Sequence, residues 1–281
     1  MNIFGQKKLI DKIDRLIEND DLPRYIIIQG PTGSGKHLIG DYISRKLNAL
    51  LVPCDITVDA VREIIDISYT LTEPTVYLWP DTQKMSVSAK NAVLKVTEEP
   101  PQQAYFIMTV DSTTNMLNTL VSRGYVLDIL PYTIDDLLEY INYKYSDMPD
   151  KTKNLIVDLA SNIGDVIKFA NMDIKRLNDI VDTLCNNIGN VNLANELKIT
   201  TLLKFKSDDK DEDKIDPLVF MKAVMIRFSE YMISDYNLLY ADLINLTSKY
   251  MSDVNSKSLN RQAVVDNWIL QMHLLANGGK V

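Results

Sequence analysis

The stretch Tyr25–Leu47, YIIIQGPTGSGKHLIGDYISRKL, constrains the fold more than any other part of the chain. An apolar run from Tyr25 to Ile28 breaks into a glycine-rich turn that opens directly into a segment of helical periodicity. Strand, loop and helix therefore follow without a gap. Gly30, Gly35 and Lys36 fit the spacing G-x-x-x-x-G-K, and Pro31, Thr32, Gly33 and Ser34 fill the turn between them. Glycines at these places let backbone N–H groups close around phosphate, while the lysine and the helix N-terminus supply positive charge. The reading is a nucleotide phosphate site. The strand and the helix are both in place, which argues against a glycine-rich turn that holds nothing. One position departs from the pattern: His37 stands where Ser or Thr would hold magnesium.

At 281 residues and 46% hydrophobic content, the chain has room for two or three compact units with a well-buried core. No window approaches 18 uncharged apolar residues, and the N-terminal MNIFGQKKLIDKID has no signal-peptide core. Neither a membrane span nor export is expected, so the location should be cytoplasmic. Cys54 and Cys185 match no metal-ligand spacing and read as reduced structural thiols. A net charge of -8 argues against holding DNA alone through a broad basic face. A local patch acting within an assembly stays open.

In chain order, Leu9, Ile10, Ile13, Leu16 and Ile17 give an N-terminal helix. After the phosphate-loop helix comes the short apolar LNALLVPCD, then a helix carrying Val58, Val61, Ile64, Ile65 and Tyr69. A second strand is expected at TVYLW, a third at YFIMTV and a fourth at YVLDIL. Between the second and third, a helix should open at a Ser86 or Ser88 cap and stop at Pro100 and Pro101. Alternating strands and helices imply an α/β unit with a parallel sheet, closing near Pro131. Beyond it the pattern is helical, with a turn at Asp147 to Asp150 and a break at Gly164. SDDKDEDKID reads as a solvated loop. The Tyr- and Met-rich final residues read as bundle core.

The middle of the chain resembles the core of bacterial DNA polymerase III clamp loader subunits, AAA+ proteins of the gamma and delta-prime type. The likeness rests on pieces in fixed order. IFGQ at Ile3 to Gln6 is similar to the family's N-terminal box, TVDAVREI to the segment after the P-loop, and NAVLKVTEEPP to N-A-L-L-K-x-x-E-E-P-P. Ser122 and Arg123 are similar to its S-R-C motif. The resemblance implies a P-loop AAA+ domain over 1–131, a helical lid over 132–186 and a helical collar for oligomerisation over 187–281. It also implies ATP as the nucleotide, with magnesium if the site is competent in hydrolysis. The implied partners are other clamp loader subunits, a sliding clamp and primer–template DNA. The family's zinc module after the P-loop helix is missing, as in a bacteriophage-type version.

By the same resemblance, Lys36 would bind the β and γ phosphates and Arg123 would serve a neighbouring subunit's ATP as an arginine finger. Thr109 and Asp111 sit where the first sensor is placed. The helix after the second strand would face the duplex, making Lys84, Ser86, Ser88 and Lys90 phosphate contacts. The metal positions depart from the pattern, since the family's Asp-Glu pair reads Pro80-Asp81 and His37 lacks the hydroxyl. Ile167 replaces the arginine of the second sensor. The expected role is a delta-prime-like subunit that donates Arg123 and hydrolyses poorly. The alternatives are a motor ATPase in which Asp81 does the work of both carboxylates, another AAA+ machine such as a helicase loader, and a small-molecule P-loop kinase.

Overall fold

Three uninterrupted apolar runs become the interior strands of one sheet. In the computed structural model, which describes residues 2–189, 192–205, 214–256 and 259–278, these are β1 (Tyr25–Gln29), β3 (Thr75–Trp79) and β4 (Ala104–Val110). β3 and β4 are buried along their whole length, as strands covered on both faces must be. β2 (Leu50–Pro53) and β5 (Tyr125–Asp128) complete a parallel sheet of order β2-β3-β4-β1-β5. The register pairs Tyr25 with Phe106, Ile26 with Tyr125 and Thr75 with Ala104. LNALLVPCD thus supplies a fifth strand that periodicity does not reveal, because edge strand β2 is half open to solvent.

Alternate residues of each strand serve opposite faces. Tyr25, Ile27, Tyr77, Trp79, Phe106 and Met108 meet α3 (Val58–Ser68), α4 (Val87–Glu98) and α5 (Asn118–Val121) through Val61, Val93 and Leu120. Trp79 and Tyr77 stack on Phe106 with ring centroids 5.5 and 5.6 Å apart. Ile26, Ile28, Leu78 and Ile107 meet α1 (Lys7–Glu18) and α2 (Lys36–Lys46) through Ile13, Ile39 and Ile43. Ser86, not Ser88, is the cap of α4, its side chain accepting from the Ala89 N–H.

The first compact unit runs to Lys168, past the expected boundary at residue 131. It includes α6 (Ile134–Lys144), α7 (Asp150–Leu159) and most of α8 (Ile163–Ala170). Local ties explain this. The Gln6 side chain donates to the Leu130 carbonyl and accepts from the Leu130 N–H, both at 2.9 Å. Gly5, at φ +67°, lies so close to α6 that an added Cβ would stand 2.7 Å from Tyr132 and 2.9 Å from Asp136.

The second unit, from Phe169 onward, contains α9 (Ile174–Asn187), α10 (Leu193–Leu197), α11 (Pro217–Asp235), α12 (Leu238–Asn255) and α13 (Arg261–Ala276). α11 packs on both α9 and α12, so α9 belongs to this compact unit. Its core holds Leu177, Leu184, Phe220, Phe228, Leu243, Trp268 and Met272. Trp268 Nε1 donates to Thr247 Oγ1 at 3.0 Å, satisfying the indole inside that core. Of SDDKDEDKID, residues 207–213 lie outside the described residues. Among the described residues no helix is long and apolar enough to cross a membrane.

Candidate nucleotide site

Three loops leave the carboxyl ends of neighbouring strands and converge, where open α/β sheets bind ligands. The first follows β1. Gly33 and Gly35 take φ +82° and +89°, a conformation that residues with a Cβ rarely adopt. Gly30 is required for another reason, since an added Cβ would stand 2.8 Å from Ile129. The loop delivers its amides to the start of α2, where Lys36 is the first helical residue. Lys36 is only 5% exposed, and Nζ donates to the carbonyls of Gly30 (2.6 Å) and Pro31 (3.1 Å) and to Asp111 Oδ1 (2.9 Å). Ser34 Oγ is buried without a hydrogen-bond partner, a donor that a phosphate oxygen would satisfy.

The second loop follows β3. Asp81 adopts φ +46°, and its backbone N–H donates to Thr109 Oγ1 at 3.1 Å. Lys84 Nζ lies 2.7 Å from Asp81 Oδ2 and holds that carboxyl below the usual carboxylate range. The third loop follows β4. Thr109 is fully buried and fixes the Asp81 turn, whereas Asp111, two residues on, reaches the P-loop lysine. Of the first-sensor pair, Asp111 is thus the member joined to the phosphate loop.

A cavity of about 430 Å³ opens beside the P-loop, lined by its backbone, Lys36, His37, Leu38, Asp81 and Tyr132, and by Ile163, Gly164 and Ile167 of α8. Sequence reasoning missed how α8 is joined to the loop. The Gly164 N–H donates to the Gly33 carbonyl at 3.0 Å, Asn162 Nδ2 to the Thr32 carbonyl at 3.3 Å, and the Tyr132 hydroxyl to the Ser34 carbonyl at 2.9 Å. Only the Asn-Ile-Gly lead into a helix hinted at this. Three of the cavity's lining side chains, Leu38, Ile163 and Ile167, are purely apolar, which suits a ring more than further charge.

The residues at the metal positions do not fit a magnesium ion held by protein. His37 is exposed, Pro80 has no donor, and Asp81 is committed to Lys84. Among the described residues no group of three or more His, Cys, Asp or Glu side chains is placed to hold a metal.

The remaining predicted residues lie elsewhere. Arg123 is exposed at the end of α5 and is not among the residues lining the cavity. Its guanidinium donates to the Thr119 carbonyl at 2.7 Å and pairs with Glu98 of the EEPP segment. Lys84, Ser86 and Ser88 are exposed. Lys90 departs from the expected surface role: it is 9% exposed, its ammonium facing the carbonyls of Gln83 (3.3 Å) and Asn115 (3.5 Å). The buried stem of Lys90 leaves its head to cap those carbonyls.

Residues 53–133 match the family model for the DNA polymerase III delta subunit. Over 202 residues the chain is 27% identical to the DNA polymerase III delta′ subunit of Buchnera aphidicola from Acyrthosiphon pisum, covering 70% of this chain and 58% of that protein. It is 26% identical over 172 residues to the gamma subunit of Buchnera aphidicola from Schizaphis graminum, covering 50% and 47%. The chain spans about half the length of the curated relatives it matches. Among solved structures, the Thermotoga maritima RuvB Holliday junction branch migration motor superposes with TM-score 0.53 at 15% identity, covering 98% of this chain and 88% of that one. A DNA polymerase III gamma subunit-related protein of the same organism superposes with TM-score 0.50 at 12% identity, covering 95% and 99%. The fold is that of a P-loop AAA+ domain followed by helices, and the sequence is similar to gamma and delta′ subunits of DNA polymerase III.

Proposed function

We propose that this chain is a subunit of a DNA-replication clamp loader, of the delta-prime kind, which holds nucleotide through its P-loop, hydrolyses it poorly and offers Arg123 to a neighbouring subunit's ATP. One contrast carries the reading: Gly33, Gly35 and Lys36 keep the phosphate-loop geometry, while His37 and Pro80 lack the oxygen ligands that would hold magnesium. The matches to delta′ and gamma subunits support it. The exposure of Arg123 outside its own cavity supports action in trans, an effect of about 10³ to 10⁵ in rate for such arginines. Other loader subunits, a sliding clamp and primer–template DNA are the proposed partners, with phosphate contacts from Lys84, Ser86 and Ser88. The location is the cytoplasm. The brief connection 47–49 between α2 and β2 supports a version without the zinc module, as in a bacteriophage-type subunit.

A second reading, a motor ATPase, is favoured by Asp81 lining the cavity with its carboxyl held ionised. The test is turnover by the isolated chain and by its assembly with co-purified neighbours. The proposal expects negligible turnover by the chain alone, with Arg123→Ala abolishing assembly turnover and Asp81→Ala leaving it unchanged. Hydrolysis by the single chain that Asp81→Ala stops by 10² or more, on the order of a lost charge-stabilising group, would make the motor reading correct.

A further inference from the structure

Asp111 joins the phosphate loop to both neighbouring loops. Its Oδ1 accepts from Lys36 Nζ at 2.9 Å and from Thr32 Oγ1 at 3.2 Å, and its Oδ2 accepts from Gln83 Nε2 at 3.1 Å. Two of those donors, Lys36 and Thr32, belong to the P-loop itself and line the cavity beside it. The lysine is buried and the carboxylate is 40% exposed, so the pair is open to displacement from the solvent side. A carboxylate that accepts hydrogen bonds from the lysine and threonine of a phosphate loop occupies the chemical place of a phosphate oxygen.

We propose that Asp111 is an internal counter-anion that a nucleotide's phosphates must displace from Lys36, and that it sets which phosphates this site accepts. This rests on the reading of the P-loop as a nucleotide site. Two consequences follow from Coulomb's law. A displaced Asp111 stays beside the ligand and repels it, and the repulsion grows with each negative charge the ligand carries. Asp111 therefore penalises the more highly charged nucleotide most, offsetting the preference that the P-loop lysine alone would give.

The experiment measures binding of AMP, ADP and the slowly hydrolysed ATPγS, without metal, to the full chain and to Asp111→Asn, Asp111→Ala and Lys36→Ala. Asn keeps the shape and the hydrogen bonds and removes the charge. The expected result for Asp111→Asn is a gain of about fivefold for ADP, the upper range for a partly exposed ion pair, with a larger gain for ATPγS and a smaller one for AMP. Asp111→Ala should follow the same order, and added salt should compress the differences. Unchanged or weaker binding in Asp111→Asn, or an equal gain for all three ligands, overturns the proposal and makes Asp111 a positioning residue for Lys36. The P-loop reading fails separately, when wild type and Lys36→Ala bind these ligands equally or not at all. Thermal melts of the variants identify any loss of fold.

Discussion

At the scale of single residues, burial decides which chemistry a side chain can offer. Lys36 and Lys90 are both buried lysines on helices, yet Lys36 is held in the convergence of three loops while Lys90 is used up on two main-chain carbonyls. The cysteines show the same control. Cys54 is 7% exposed and burial pushes its thiol up to about 12; Cys185 is 5% exposed and burial raises its thiol further. Both are free. Since the thiolate is the nucleophile, alkylation of Cys54 by iodoacetamide at pH 8 should run about 10³-fold slower than for an unhindered cysteine, and denaturant should restore it. Rapid labelling of the native chain would mean that these sites open often. Asp81 works in the other direction. Its carboxyl is lowered by Lys84, so its contribution to stability is present above the ordinary carboxylate range and is lost as pH falls below about 4.

At the scale of elements, what was legible in the sequence was what is contiguous. The P-loop announces itself because its strand, turn and helix are adjacent, and β3 and β4 announce themselves because strands buried on both faces are unbroken apolar runs. β2 did not, being a half-exposed edge. The tie between α8 and the P-loop did not either, since it joins residues 130 apart, Thr32 and Asn162, through a main-chain carbonyl that no periodicity records. That tie has a testable consequence. At Gly164 an added Cβ would stand 2.6 Å from Gly33 Cα and 2.8 Å from the Gly33 carbonyl oxygen, both backbone atoms that cannot swing aside. Gly164→Ala should therefore cost about 1–3 kcal/mol in a melt, a typical overpacking penalty, and should weaken nucleotide binding by shifting the loop. Asn162→Ala removes the bond to Thr32 and the one accepted from the Asp165 N–H, for about 1 kcal/mol. Wild-type affinity in both variants would show that α8 does not position the loop.

At the scale of the whole molecule, the question is where one compact unit ends and the next begins. Helical periodicity places helices but not their packing partners; the resemblance implies boundaries at residues 131 and 186, and contacts divide the chain after Lys168. α9 is the deciding element. Its apolar face, Leu177, Val181 and Leu184, is buried, and α11 is the helix that packs on it. Arg227 of α11 also pairs with Asp182 of α9, and the Tyr231 hydroxyl donates to Asn186 at 2.7 Å. A chain cut after residue 186 keeps α9 and removes α11, leaving that face in water at about 1.5–3 kcal/mol for each large side chain exposed. A chain cut after residue 172 removes both helices together. The shorter chain should therefore be the better behaved: monodisperse, silent toward a hydrophobic dye and still able to bind nucleotide through the P-loop, while the longer one binds dye and aggregates. Neither should join an assembly if the C-terminal helices form the collar. A chain of 186 residues that is as stable and monodisperse as the shorter one would return α9 to the lid and restore the boundary that the resemblance implies.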